Sequence, residues 1–193
     1  MNDTDDIVAA MLPVANAFRM LGIRYYIGGS VASSFHGATR STMDIDVIAE
    51  LDSASVTPLL QQLGNDYYSS ESAIRDAVQR KACFNLIHYP SSFKVDIFVS
   101  RDRPFDRNSM TRAIIGEIGL NIKLELPMAS AEDTIISKLD WYKIGNESSE
   151  RQWQDVSRIM KLLGGQIDSD YLRAAAASVE VEDLLVRLQN ETT

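Results

Sequence analysis

The residues of this chain best suited to chemistry lie in the stretch IGGSVASSFHGATRSTMDIDVIAE, where Asp44 and Asp46 follow a Gly28-Gly29-Ser30 turn and head an apolar run. In an extended strand successive side chains alternate between faces, so both carboxylates project to one side while Ile45 and Val47 go to the other. Two carboxylates a few ångströms apart repel, and each raises the other's proton affinity unless a cation neutralises them. Magnesium suits such a pair, because it takes one or two carboxylates and leaves its other positions to water and substrate phosphates. The pair reads as a magnesium and nucleotide site, with manganese as the alternative ion.

A second carboxylate-bearing strand is FKVDIFV, in which alternation puts Lys94, Asp96 and Phe98 on one face and Val95, Ile97 and Val99 on the other. Burying an unpaired aspartate is costly, so Asp96 must meet a cation, either a metal or a lysine. If this strand lies beside that of Asp44 and Asp46, three carboxylates converge and Asp96 can accept a proton from an attacking hydroxyl. Glycines at Gly28 and Gly29 let the backbone approach a ligand, and N–H groups at a following helix start attract phosphate oxygens. Ser30 adds a hydroxyl. Two glycines also occur in such turns for steric reasons alone, so the turn keeps both readings. Arg40, between the turn and the aspartates, is either a phosphate clamp or an exposed loop residue. The G-x-G-x-x-G and Walker patterns are absent, which disfavours those two nucleotide folds.

The elements that must position these residues follow from periodicity. Ile7, Met11, Val14, Ala15 and Phe18 repeat at helical spacing up to a stop at Gly22. Strands are expected at 24–27, 44–49, 83–89 and 93–99, the last two joined by Pro90-Ser91-Ser92 as a hairpin, with a further pair at 113–118 and 121–126. Short helices are expected over VASSFHG, 58–63 and 72–79, and the segment at Tyr67 and Tyr68 is ambiguous. From Ser130 the pattern turns wholly helical, through AEDTIISKLDWYKIG and ERQWQDVSRIMKLLGG. The reading is an α/β (α+β) chain: a mixed sheet domain flanked by helices over 1–128, a helical domain over 129–193, and a cleft between them.

Composition narrows the function. The chain has 193 residues, with 19 basic against 27 acidic side chains and a net charge of −8, so its overall field repels polyanions. Arg101, Arg103, Arg107 and Arg112 alternate with Asp102 and Asp106 and read mainly as a solvated loop and helix face, with substrate phosphate as the minor reading. No window approaches the roughly 20 apolar residues of a membrane span, and the acidic start is unlike a secretory signal, so the cytoplasm is the expected compartment. The single cysteine, Cys83, reads as a small buried hydrophobe, and two histidines offer no metal-ligand pair. Leu139, Trp141, Ile144, Trp153, Val156, Ile159 and Leu163 read as core rather than as stacking platforms.

With these residues in place, the chain resembles the polymerase-beta-like nucleotidyltransferase superfamily, whose pattern is a Gly-Gly/Ser turn, a D-x-D pair and a separate third aspartate. The likeness spans Tyr26 to Val99, with helical support to about Leu163. Lys94-Val95-Asp96, Glu132 and Lys138 in AEDTIISKL, and RQWQD ending at Asp155 resemble later motifs of minimal bacterial members and abortive-infection (AbiEii-type) toxin nucleotidyltransferases. The resemblance implies that Gly28, Gly29 and Ser30 hold the triphosphate, that Asp44 and Asp46 bind magnesium, and that Asp96 is base or third ligand. It further implies that Lys94 and Lys138 serve nucleotide binding, with Asp155 orienting Lys138 or the substrate. The expected activity is transfer of a nucleoside monophosphate from a nucleoside triphosphate such as ATP to an acceptor hydroxyl. That acceptor is open: a cationic small molecule such as an aminoglycoside, a transfer RNA end, or a protein. The alternative is a catalytically silent nucleotide-binding or toxin–antitoxin-type module of the same fold, with a cognate partner or a homo-oligomer as its context.

Overall fold

Strands that carry aspartates on one side and aliphatics on the other need a sheet with one dry face. The computed structural model, which describes residues 3–192, has such a sheet. Its strands are β1 (Tyr25–Ile27), β2 (Asp44–Ala49), β3 (Tyr67–Tyr68), β4 (Cys83–His88), β5 (Phe93–Val99), β6 (Ile114–Ile118) and β7 (Leu124–Met128). They lie in the order β3-β4-β5-β2-β1-β7-β6. The β2–β5 and β1–β7 pairs are parallel and the other pairs antiparallel, so the sheet is mixed.

The dry face carries Ile45 and Val47 of β2, Val95 and Ile97 of β5 and Leu86 of β4, all fully buried. Helix α1 (Asp3–Leu21) lies on it through Met11, Val14 and Phe18, one stripe at helical spacing, and α3 (Val56–Leu63) and α4 (Glu71–Arg80) complete the cover. On the opposite face sit α2 (Gly29–Phe35) and α6 (Ala131–Ile144). A second apolar core unites α6 with α7 (Glu150–Leu163), α8 (Ser169–Ser178) and α9 (Glu182–Thr192) around Ile135, Leu139, Val156, Ile159 and Leu188. Between the two stands α5 (Pro104–Arg112), whose Phe105 joins the helical core. The architecture is thus an α/β fold with a mixed sheet flanked by helices and a C-terminal helical extension, as the patterning predicts.

Local departures have local causes. The last strand starts at Leu124 and not at 121, because Asn121 turns back to α1, where its side chain donates to Asp5 Oδ2 at 2.5 Å. The ambiguous tyrosines form a two-residue edge strand, anchored where the Tyr67 hydroxyl donates to the Ala10 carbonyl at 2.7 Å. Cys83 is exposed rather than buried, because the alternation of β4 turns Phe84 and Leu86 into the core and Cys83 out of it. Among the described residues no helix is long and apolar enough to cross a membrane.

Ile97 has no exposed surface and sits directly behind the carboxylate row, so Ile97→Ala should cost about 3 kcal/mol. Urea unfolding checks this, and a loss below about 1 kcal/mol would mean the dry face is not close-packed.

Candidate active site

Register decides what the aspartates can do together. Parallel pairing of β2 with β5 sets Asp46 opposite Asp96, Asp44 opposite Lys94 and Ile48 opposite Phe98. On the other side of β5, antiparallel β4 sets Asn85 opposite Asp96 and Cys83 opposite Phe98. Register partners share a face, so Asn85, Asp96 and Asp46 form one polar row and Lys94 and Asp44 the next.

Asp46 is the centre of this row. Gly28 N–H donates to its backbone carbonyl at 2.9 Å, and the Ser30 N–H hydrogen-bonds its carboxylate. Gly29 has φ +55°, and a Cβ there would lie 1.6 Å from Asp46 Oδ2, so only glycine fits. The glycine turn therefore has a structural role, seating a carboxylate against the backbone. Burial pushes the Asp46 carboxyl up to about 6, with the charges of Asp44 and Asp96 adding to the shift and Lys138 opposing it.

Asp96 meets the lysine that the sequence offered. It lies 2.7 Å from Lys94 Nζ and accepts from the Asn85 amide, and the bond to Asp96 pushes the Lys94 ammonium up. Asp44 Oδ1 accepts from Thr42 Oγ1 at 2.6 Å. Among the described residues no group of three His, Cys, Asp or Glu side chains could hold a metal ion as they stand. The donor set still suits one that keeps water and phosphate ligands: three carboxylates share a face, and the central one is starved of countercharge.

Countercharge comes from the helices. Lys138, 5% exposed on α6, donates to Asp155 Oδ2 at 2.8 Å and to Gln152 Oε1 at 2.9 Å, both on α7. The same Asp155 oxygen is 3.5 Å from Arg40 Nε, and Arg40 also donates to Ser30 Oγ. Lys138, Asp155, Arg40 and Ser30 thus form one chain from the helical extension back to the glycine turn. Glu132 lies outside it, 3.3 Å from Arg112 and accepting from Asp168 N–H at 3.0 Å. His36 is structural too, donating to the Ala129 carbonyl at 2.8 Å.

A cavity of about 380 Å³ opens beside Asp46, between the sheet and α6. Two residues expected in the core line it instead, Trp141 at 43% exposure and Ile144 at 53%. Thr134, Ser137, Lys138, Trp141 and Ile144 form one stripe of α6 facing this space, while Ile135, Ile136 and Leu139 face the helical core. That stripe, running in steps of three and four through Thr134, Lys138 and Trp141, is the signal for the cavity wall that the sequence carries. The arginine group divides: Arg107 pairs in solvent with Asp102 at 3.1 Å, Arg103 ties Asp106 at 3.0 Å to Asp140 at 3.1 Å, and Arg101 stands at the cavity.

No family model matches the sequence, and no curated protein does either. Among solved structures, the chain is similar to an antigenic nucleotidyltransferase-like protein from Paracoccidioides brasiliensis at 17% identity and a TM-score of 0.53, covering 97% of this chain and 93% of that one. It is also similar to the antibiotic-resistance factor ANT(2'')-Ia at 12% identity and a TM-score of 0.55, covering 98% of this chain and 100% of that one. At these identities the likeness shows the fold.

The Asp46 carboxyl holds its proton to about pH 6 in the folded chain, whereas in the unfolded chain it ionises near the ordinary value of 3.8. The native state then binds more protons between those values, and stability falls as pH rises through that window. In EDTA, Asp46→Asn should raise the melting temperature at pH 7.5, and the gain should vanish near pH 4 as the native carboxyl protonates. An equal gain at both values would show that repulsion is not its source.

Proposed function

We propose that this nucleotidyltransferase-type fold transfers a nucleoside monophosphate from a nucleoside triphosphate to an acceptor hydroxyl. The observation that carries the reading is the register pairing of Asp46 with Asp96 on parallel strands, beside Asp44 and across from an Asp155-anchored Lys138. Asp44 and Asp46, with Asp96 as third ligand, would hold magnesium or manganese. Bound there, the ion supplies neutralisation of charge spread over the phosphoryl oxygens. The chain's own residues do the rest.

The acceptor oxygen forms a bond to the α phosphorus as the bond from phosphorus to the pyrophosphate oxygen breaks, and the hydroxyl proton passes to a carboxylate. Asp96 suits that role: it is 8% exposed and its oxygens are oriented by Lys94 and Asn85. Lys138 and Arg40 are preset cations for the triphosphate, already oriented by Asp155, so little reorganisation is needed when phosphate arrives. Gly28, Gly29 and Ser30 keep the backbone close enough for that approach. Lys94-Val95-Asp96 and the Lys138–Asp155 pair are what support the abortive-infection-like branch within the superfamily. The toxin label does not follow from them.

Ligand that binds only the folded state raises its melting temperature. Magnesium with the preferred triphosphate at 100 times its dissociation constant should raise it by about 5–10 °C, and Asp44→Ala/Asp46→Ala should abolish the rise while staying folded. No shift with any of the four triphosphates would sink the transferase reading and favour a catalytically silent member of the fold.

A further inference from the structure

The cavity and the carboxylate row share one wall and then part. Asp44, Asp96, Ser30 and Arg40 do not line the cavity, which meets that set at Gly28, Gly29, Asp46 and Lys138. From Asp46 it runs past Ile48 and Phe98 to the ends of β2 and β5, away from Asp44 and Lys94. A triphosphate held by the carboxylates, Ser30 and Arg40 leaves this second compartment free, with Asp46 at its boundary. Resting on the transferase reading, we infer that this compartment is the acceptor subsite and takes a hydroxyl compound with a planar apolar body and an anionic substituent.

Three features of its lining select that chemistry. One stretch of the wall is apolar: Ile48 and Phe98 on the sheet, Trp141 and Ile144 on α6, with the Phe98 and Trp141 rings edge to face at 5.9 Å. An exposed indole beside a phenyl ring is a surface for a flat ligand, and about 380 Å³ matches a small molecule. Thr134, 3% exposed, lines the same space, and its Oγ1 is buried with no hydrogen-bond partner among the described residues. Such an oxygen costs stability as it stands, and a turn of the Thr134 side chain toward the cavity is what would let a ligand complete it.

Charge supplies the third feature. Arg103 stands between two carboxylates, Asp106 and Asp140, and Asp133 is engaged by Ser130 and Tyr171 and lies 3.9 Å from Arg112. That leaves Lys81 and Arg101, both exposed and without an ion pair among the described residues, at the end of the cavity away from the glycine turn. An anionic group seated there would point the rest of the ligand, and its hydroxyl, toward Asp46. A polycation in the same place would meet two unneutralised positive charges. At that end of the cavity the unpaired cations favour an anionic group over the cationic acceptor that an acidic chain suggests.

The test is calorimetric titration of the full chain with 6-hydroxynaphthalene-2-sulfonate, 2-naphthol and kanamycin, beside melting shifts with magnesium and ATP, GTP, CTP and UTP. The sulfonate should bind saturably, about tenfold more weakly to Trp141→Ala and several-fold more weakly to Lys81→Ala/Arg101→Ala and to Thr134→Val. 2-Naphthol should be indifferent to the Lys81/Arg101 change, and the nucleotide shift should persist in every variant. Kanamycin binding without sulfonate binding, or sulfonate binding undiminished in all variants, overturns the proposal. Loss of the nucleotide shift in Trp141→Ala would make the cavity the nucleobase site, overturning the acceptor assignment while leaving the transferase reading intact. Absence of any nucleotide shift in the native chain fails the transferase reading, and the acceptor assignment falls with it.

Discussion

A carboxylate removed from water beside two others is the constraint on which the rest of this site depends. Asp46 is seated where a Cβ on Gly29 could not be, and its proton is held to about pH 6 by burial and by its neighbours. Only countercharge relieves that state, and the chain brings it from elements far apart in sequence. Lys94 serves Asp96 from the same strand, while Lys138 reaches the site from the helical extension. The extension therefore completes the electrostatics of the sheet as well as covering it.

Asp155 makes that completion a single unit. It is 2% exposed and ion-pairs with both cations, hydrogen-bonding Lys138 at 2.8 Å and lying 3.5 Å from Arg40 Nε. A buried pair of this kind contributes little net stability, because desolvation offsets attraction, but losing one partner strands the other. The arrangement is better understood as orientation. Through Arg40 it extends to Ser30 at the glycine turn, so packing of α7 on α6 is transmitted to the residues around Asp46.

Alternation along DIDVIA and FKVDIFV makes the faces of β2 and β5 legible, because period two follows from backbone geometry alone. Their adjacency is not legible: two helices and two strands intervene, and a parallel crossover leaves no local mark. At Cys83 residue type misleads and period governs. Phe84 and Leu86 claim the inward positions of CFNLIH, which sends Cys83 and Asn85 to the site face. Trp141 and Ile144 mislead for the opposite reason. Helix α6 is apolar on two sides because it divides a core from a cavity, and periodicity does not tell one apolar surrounding from the other.

Net charge and local charge act over different distances, and here they point to different ligands. A net −8 governs approach, and it disfavours an extended polyanion whose many phosphates would all meet the same field. Beyond about 8 Å in physiological salt that field is largely screened, so recognition within the cavity belongs to the groups that line it. Lys138 is paired with Asp155 and Arg103 stands between Asp106 and Asp140, so among the described residues Lys81 and Arg101 are the lining cations without an ion pair, and they set the sign at their end of the cavity. On the proposed acceptor assignment, a chain that repels long anions yet has two cations without an ion pair among the described residues, in a cavity with an aromatic wall, is suited to a small anion. Its single charge is too little for the overall field to turn away in solution, and it is matched once it reaches the wall.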